Sequence, residues 1–264
     1  MERKFFYNRE RKLSYLDFGG KDNNIIALHG HFACAASYAK LQQSLPNCFR
    51  FIALDQQGHG SSDFGTNYTR EEYISDILAL YNELNINSAI IIGFSLGAVN
   101  AYQFAAQYPH KVKALVIEDT GVIINNDISF TSLWPTEFAS LELVYDFLHK
   151  QGINNYLYFT QGMQSSDTGY KFSCDINNLG ISQQNLNGNW IEDWHKLSCP
   201  TLLMRGENSN VLDAKQALEI TKDRDNIAYI EFANCGHYIK DDNFEEYLNS
   251  IIDFFIALNI NCEN

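Results

Sequence analysis

The chain has 264 residues, of which 45% are hydrophobic and 19% are charged, and its formal net charge is −13. This composition is typical of a globular protein rather than of a disordered or low-complexity one. The negative charge disfavours nucleic acid and anionic membrane surfaces as partners, and no apolar run approaches the roughly 20 residues that a bilayer span needs.

The chain begins with charged residues where a signal peptide would need a long apolar core, so we expect a cytoplasmic protein. Short β-branched runs then alternate with helical patterns. Several of these runs are almost wholly apolar, as in strands that are covered on both faces of a parallel sheet. Strands are predicted at residues 3–7, 11–18, 25–29, 49–54, 88–93, 112–118, 200–205 and 227–232, the first two forming a hairpin.

Helical patterns lie between the strands. The clearest begins at Thr69, where Thr-Arg-Glu-Glu is a capping box, and apolar residues then recur at helical spacing from Tyr73 to Leu84. Further helices are predicted at roughly residues 96–108, 213–222 and 244–258. This alternation of strands and helices predicts an α/β fold with a doubly wound sheet.

Residues 122–195 interrupt the alternation. They contain no strong strand signal, they show helical patterns at Thr136 to Lys150 and Asn154 to Met163, and they are rich in aromatic residues. The segment is too long for an ordinary connection between a strand and a helix. We interpret it as a helical cap that covers one end of the sheet, inserted into a core formed by residues 1–121 and 196–264.

The strongest chemical signal is Gly93-Phe94-Ser95-Leu96-Gly97, a G-x-S-x-G motif between an apolar strand and a helical pattern. A serine at such a sharp turn has strained backbone geometry, so the residues two before and two after it must lack bulk. The first N–H groups of the helix point toward the serine oxygen, where an oxyanion would develop. The motif favours Ser95 as a nucleophile over a merely structural turn.

Two histidine motifs follow predicted strands. His29-Gly30-His31 closes the third strand, and its glycine allows the backbone to approach a reacting group. We expect His29 to hold this loop by hydrogen bonds and His31 to supply a main-chain donor. His237 follows the last strand, at the edge where open α/β sheets build their sites, and is the natural general base.

Together these features resemble the α/β-hydrolase superfamily over essentially the whole chain. The resemblance implies a mostly parallel eight-stranded sheet flanked by helices, with the inserted helical cap. Within the superfamily, the chain resembles cytoplasmic bacterial members that have cap domains. These include esterases, lactonases and carbon–carbon hydrolases. By matched motif it implies that Ser95 is the nucleophile, that His237 is the base, and that the backbone N–H groups of His31 and Leu96 form the oxyanion hole.

The triad acid departs from the family pattern. It usually follows strand 200–205 as G-x-x-D, but here Ser209 stands at that position, and a serine cannot carry the charge that stabilises an imidazolium. Some family members take the acid from the end of the preceding strand, where this chain has Asp119. Asp119 is therefore the preferred candidate, with Glu207, Asp213 and the absence of any acid as alternatives.

A serine rather than an aspartate at the turn favours acyl transfer through an acyl-serine. We expect a monomer or homodimer that hydrolyses small, mostly apolar esters, lactones or thioesters without metal or organic cofactor. The six cysteines are scattered and are expected to be free thiols rather than zinc ligands. The rival hypotheses are a carbon–carbon hydrolase or lyase that uses the same Ser–His pair, and a catalytically vestigial ligand-binding protein.

Overall fold

The computed structural model describes residues 1–21 and 23–260. The eight strands expected from the sequence are all confirmed, within two residues at each end. In chain order the strands are β1 (Glu2–Asn8), β2 (Arg11–Asp17), β3 (Asn23–Leu28), β4 (Phe49–Asp55), β5 (Ala89–Phe94), β6 (Val112–Glu118), β7 (Ile123–Ile124), β8 (Glu137–Phe138), β9 (Gln164–Ser166), β10 (Gly169–Lys171), β11 (Gly188–Asn189), β12 (Thr201–Gly206) and β13 (Ile227–Phe232). The α-helices are α1 (Ala39–Ser44), α2 (Arg70–Glu83), α3 (Leu96–Gln107), α4 (Leu141–Lys150), α5 (Tyr156–Thr160), α6 (Leu179–Leu186), α7 (Ile191–His195), α8 (Ala214–Thr221), α9 (Ile239–Asp242) and α10 (Phe244–Ala257).

The main sheet has eight strands in the order β1-β2-β4-β3-β5-β6-β12-β13. The β1–β2 hairpin and the β2–β4 pair are antiparallel, and the other neighbours are parallel. The predicted α/β-hydrolase fold is therefore confirmed. Because the parallel strands end at the same edge, the loops after β3, β4, β5, β6, β12 and β13 meet there.

Both faces of the sheet are buried. Along β3, Ile26 and Leu28 pack into one core with helices α2, α3 and α8, whereas Ile25 and Ala27 pack into a second core with α1 and α10. This is the physical reason why residues 25–28 of β3 are all apolar: in a parallel sheet covered by helices, the side chains on both faces avoid water.

The segment between β6 and β12 contains helices α4 to α7 and also five short strands, which the sequence did not indicate. Residues 136–150 were expected to be helical throughout, but α4 begins only at Leu141. The reason is that Glu137 and Phe138 pair with strand β10, after which the Ser140 side chain caps the helix by accepting from Leu143 N at 3.3 Å. The helix expected at 154–163 is confirmed only as the short α5.

The cysteines agree in part with expectation. Cys34, Cys174, Cys199 and Cys235 are buried free thiols. Cys48, by contrast, is disulfide-bonded, so the expectation was wrong there, and Cys262 lies outside the described residues. In the described ranges no cluster of three or more His, Cys, Asp or Glu side chains is arranged to hold a metal ion, and no helix has the length and apolarity to cross a bilayer.

Candidate active site

Ser95 lies on the turn between β5 and α3, with φ 51° and ψ −116°, a conformation that non-glycine residues rarely adopt. A Cβ atom on Gly93 would lie 2.5 Å from the Gly97 carbonyl oxygen, and one on Gly97 would overlap the backbone of Leu28. The Ser95 N–H donates to Glu118 O at 3.1 Å, which ties the turn to β6. The turn therefore has no space for side chains at positions 93 and 97, as the sequence predicts.

Asp119 follows β6 directly and is fully buried, with a φ of 45°. Its backbone N–H donates to Met204 O at 2.9 Å, and the Gly206 N–H donates to its Oδ1 at 3.0 Å. Nδ1 of His237, on the loop after β13, lies 2.7 Å from Asp119 Oδ2. With Nδ1 engaged by a carboxylate, Nε2 is the ring nitrogen left for another partner.

The two alternative acids lie elsewhere. Glu207 is exposed, and its Oε2 accepts from Asn234 N at 2.7 Å. Asp213 caps the N-terminus of α8 with its side chain. Among the described residues, therefore, Asp119 is the one of the three acids whose carboxylate contacts His237.

The histidine loop after β3 is held by buried hydrogen bonds. His29 Nδ1 pairs with Gly30 O at 2.7 Å, and its Nε2 accepts from Gln56 N at 3.1 Å. Burial lowers the pKa of His29, so the ring is held neutral. The expected structural role of His29 is confirmed by these contacts.

His31 is held at both ends by hydroxyl groups that the sequence reasoning missed, because both come from the segment 122–195. Tyr158 on α5 donates to His31 O at 2.6 Å, and Ser182 Oγ on α6 pairs with His31 Nε2 at 2.9 Å. Burial lowers the pKa of His31 to about 3. Within the described chain, the backbone N–H groups of His31 and Leu96 form no hydrogen bond with another protein group, so both remain available to a ligand.

A cavity of about 400 Å³ brings the predicted residues together, since Ser95, His31 and His237 all line it. No hydrogen bond joins Ser95 to His237 among the described residues. Much of the remaining wall is apolar and comes from the segment 122–195, including Trp134 and Phe159. No lysine or arginine belongs to the described lining, whereas the carboxylate-bearing Asp127 does. The cavity therefore suits a neutral ligand with an apolar body.

Comparison with known proteins agrees with this architecture. Residues 23–157 match the family described as alpha/beta hydrolase fold. Because the match covers half of the chain, the protein belongs to this family, and it is an α/β hydrolase.

Individual relatives extend the likeness over the whole chain. The 2-(acetamidomethylene)succinate hydrolase of Mesorhizobium japonicum is 26% identical over 248 residues, covering 88% of each chain. The cis-3-alkyl-4-alkyloxetan-2-one decarboxylase of Shewanella oneidensis is 24% identical over 280 residues, covering 96% of this chain and 88% of the relative. A crystal structure of E-2-(acetamidomethylene)succinate hydrolase is similar with a TM-score of 0.82 at 24% identity, covering 96% and 99% of the two chains. These names describe different reactions, so the likeness shows the class of protein rather than the bond that is cleaved.

Proposed function

We propose that this protein is a serine hydrolase that cleaves small, neutral, mostly apolar carboxylic esters through an acyl-serine intermediate. The observation that carries the proposal is the 2.7 Å contact between Asp119 Oδ2 and His237 Nδ1, beside a cavity that both His237 and Ser95 line. A carboxylate on Nδ1 stabilises an imidazolium and fixes the tautomer in which Nε2 accepts a proton.

In the proposed reaction, Ser95 Oγ attacks the ester carbonyl carbon while His237 Nε2 takes the hydroxyl proton. The backbone N–H groups of His31 and Leu96 stabilise the tetrahedral oxyanion. His237 then protonates the leaving alkoxide, and the alcohol departs from an acyl-serine. Water attacks this ester with His237 again as the base, which releases the carboxylic acid and restores Ser95.

The cavity's charges support a neutral substrate. A succinate carries two carboxylates at neutral pH, and a buried carboxylate needs a cationic or hydrogen-bonding partner. The described lining offers hydrogen-bonding side chains such as Asn126 and Gln183, but it has no lysine or arginine to balance two negative charges, and it adds the negative Asp127. We therefore propose a substrate chemically distinct from the one that the Mesorhizobium relative's name describes. The segment 122–195 acts in this proposal as the cap that holds the apolar part of the substrate.

The test compares p-nitrophenyl butyrate with p-nitrophenyl hemisuccinate, which have similar lengths and differ in charge. We expect kcat/KM to favour the neutral ester by at least about tenfold, the equivalent of about 1.4 kcal/mol. Ser95→Ala should abolish both ester turnover and labelling by a fluorophosphonate probe. The matched control is Ser132→Ala, because Ser132 is exposed and its Oγ bonds locally to Ser129 O.

Three other outcomes would contradict this proposal. Labelling of Ser95 without turnover of esters of any chain length would favour the carbon–carbon hydrolase or lyase hypothesis. Tight ligand binding without labelling or turnover would favour a vestigial binding protein. A preference for the anionic ester would overturn the substrate class while leaving the serine chemistry in place.

A further inference from the structure

Ser209 stands where the family pattern has its acid, and its hydroxyl group contacts the acid that this chain uses in the proposed mechanism. Ser209 Oγ donates a hydrogen bond to Asp119 Oδ2. The same oxygen accepts from Val211 N at 3.0 Å and from Leu212 N at 3.3 Å. Because these two N–H groups occupy its acceptor sites, its single proton is directed at the Asp119 carboxylate.

The Asp119 carboxylate has one support on each oxygen besides His237. Oδ1 accepts from Gly206 N at 3.0 Å, and Oδ2 accepts from Ser209 as well as from His237. Together, Gly206 and Ser209 fix the rotation of the carboxylate plane about its Cβ–Cγ bond. Loss of the Ser209 hydroxyl would leave Oδ2 with His237 as its remaining partner, in a fully buried setting where a hydrogen bond to a charged group is strong.

We infer that Ser209 is a positioning residue. Its hydroxyl holds the Asp119 carboxylate in the orientation that contacts His237, and Ser209 acts on Ser95 through Asp119 and His237. The inference rests on the proposed function, in which Asp119 and His237 activate Ser95. The departure from the family pattern then has a physical meaning. The acid has moved to the end of β6, and the position it would otherwise occupy supplies a neutral donor that supports it.

A double-mutant cycle tests this inference, because a residue that acts through Asp119 loses its effect once Asp119 is changed. Ser209→Ala, Asp119→Asn and the double variant are compared with the wild type. The readouts are the rate constant for fluorophosphonate labelling of Ser95, and kcat and KM for the neutral ester. The thermal midpoint of each variant is recorded alongside, so that a change in folding is separated from a change in activity.

We expect Ser209→Ala alone to lower the labelling rate and kcat by about tenfold, the scale of one hydrogen bond to a charged group, with KM nearly unchanged. In the Asp119→Asn background the same change should cost less than about twofold. Ser209→Thr keeps the hydroxyl and should retain most of the activity. If Ser209→Ala does not fold, Ser209→Cys replaces it, since a thiol is a weak donor of similar size.

Equal losses in both backgrounds, or no loss in Ser209→Ala, would overturn the inference, because either result separates Ser209 from Asp119. Failure of the proposed function gives a different result: the wild type would neither turn over esters nor be labelled at Ser95. If the wild type is labelled but cleaves no ester, the labelling rate constants of the four proteins replace kcat in the double-mutant cycle. They still decide the role of Ser209.

Discussion

Ser95 and Asp119 both have positive φ values, of 51° and 45°, which cost non-glycine residues on the order of 1–3 kcal/mol. Each is held by a backbone hydrogen bond to the next strand of the sheet, Ser95 N to Glu118 O and Asp119 N to Met204 O. Hydrogen bonds to the neighbouring strands therefore stabilise the two strained backbone conformations. Ser95 and Asp119 lie at the ends of neighbouring strands, at the same edge of the sheet as the loop that carries His237.

At this scale we expect Asp119→Asn to lower kcat by at least ~100-fold, because an amide cannot stabilise an imidazolium and can bind the wrong tautomer. Steady-state kinetics and the thermal midpoint measure the effect. Glu207→Gln and Asp213→Asn serve as matched controls and should keep nearly full kcat, since neither side chain contacts His237 among the described residues. Collapse of activity in Glu207→Gln with activity retained in Asp119→Asn would reverse the assignment.

Helices α5 and α6 link the segment 122–195 to the loop after β3. Tyr158 and Ser182 contact the carbonyl and the imidazole of His31, and the Tyr158 ring packs against Phe94, with ring centroids 5.5 Å apart. Aromatic residues of the segment share one buried cluster with Phe94 and Ala33 of the core. The same segment thus walls the cavity and fixes the residue that is proposed to donate to the oxyanion.

Tyr158→Phe tests this link, because it keeps the ring packing and removes the hydrogen bond to His31 O. We expect kcat to fall by about fivefold to tenfold, the scale of one buried hydrogen bond. The Kd of a trifluoromethyl ketone should increase by a larger factor than KM. Tyr156→Phe is the matched control on the same helix, since its hydroxyl pairs with His149 Nδ1 at 3.0 Å. Equal effects of the two variants would show that the hydrogen bond from Tyr158 to His31 O makes no specific contribution to catalysis.

The stability of the whole molecule depends on Glu118, a buried ionisable residue that directly precedes Asp119 in the chain. Burial is the main cause that raises its pKa to about 7, while the nearby Lys240 and a hydrogen bond from Tyr247 OH act in the opposite direction. The folded state therefore favours the protonated carboxyl more than the unfolded state does. By linkage, the contribution of Glu118 to the stability of the wild type is fully present below the pKa that this carboxyl has in the unfolded chain, and it is lost as pH rises through about 7.

We therefore expect the free energy of unfolding of Glu118→Gln to rise relative to that of the wild type as pH increases from 5 to 8. The difference should grow by on the order of 3 kcal/mol over this range. Thermal or denaturant unfolding at several pH values measures the difference. The exposed Glu83→Gln variant is the control and should show no such trend. A difference that is flat or declines as pH rises would mean that Glu118 does not carry the expected penalty.

The amino-acid sequence by itself determined the local features of this protein. Apolar runs marked the strands, and the capping box is present at Thr69, where Thr69 N donates to Glu72 Oε2 at 3.0 Å. The G-x-S-x-G motif also revealed its steric demand without coordinates. Each of these features depends on residues a few positions apart, so propensity and spacing suffice to recognise it.

Only the tertiary structure decided which acid meets the imidazole and what surrounds it. Asp119 and His237 are 118 positions apart in the chain, and Ser209 reaches the same carboxylate from 90 positions away. The short strand at Glu137–Phe138 likewise forms because β10 pairs with it. Such contacts form only where distant segments meet after packing. Because they leave no repeating pattern in the sequence, they cannot be predicted from it.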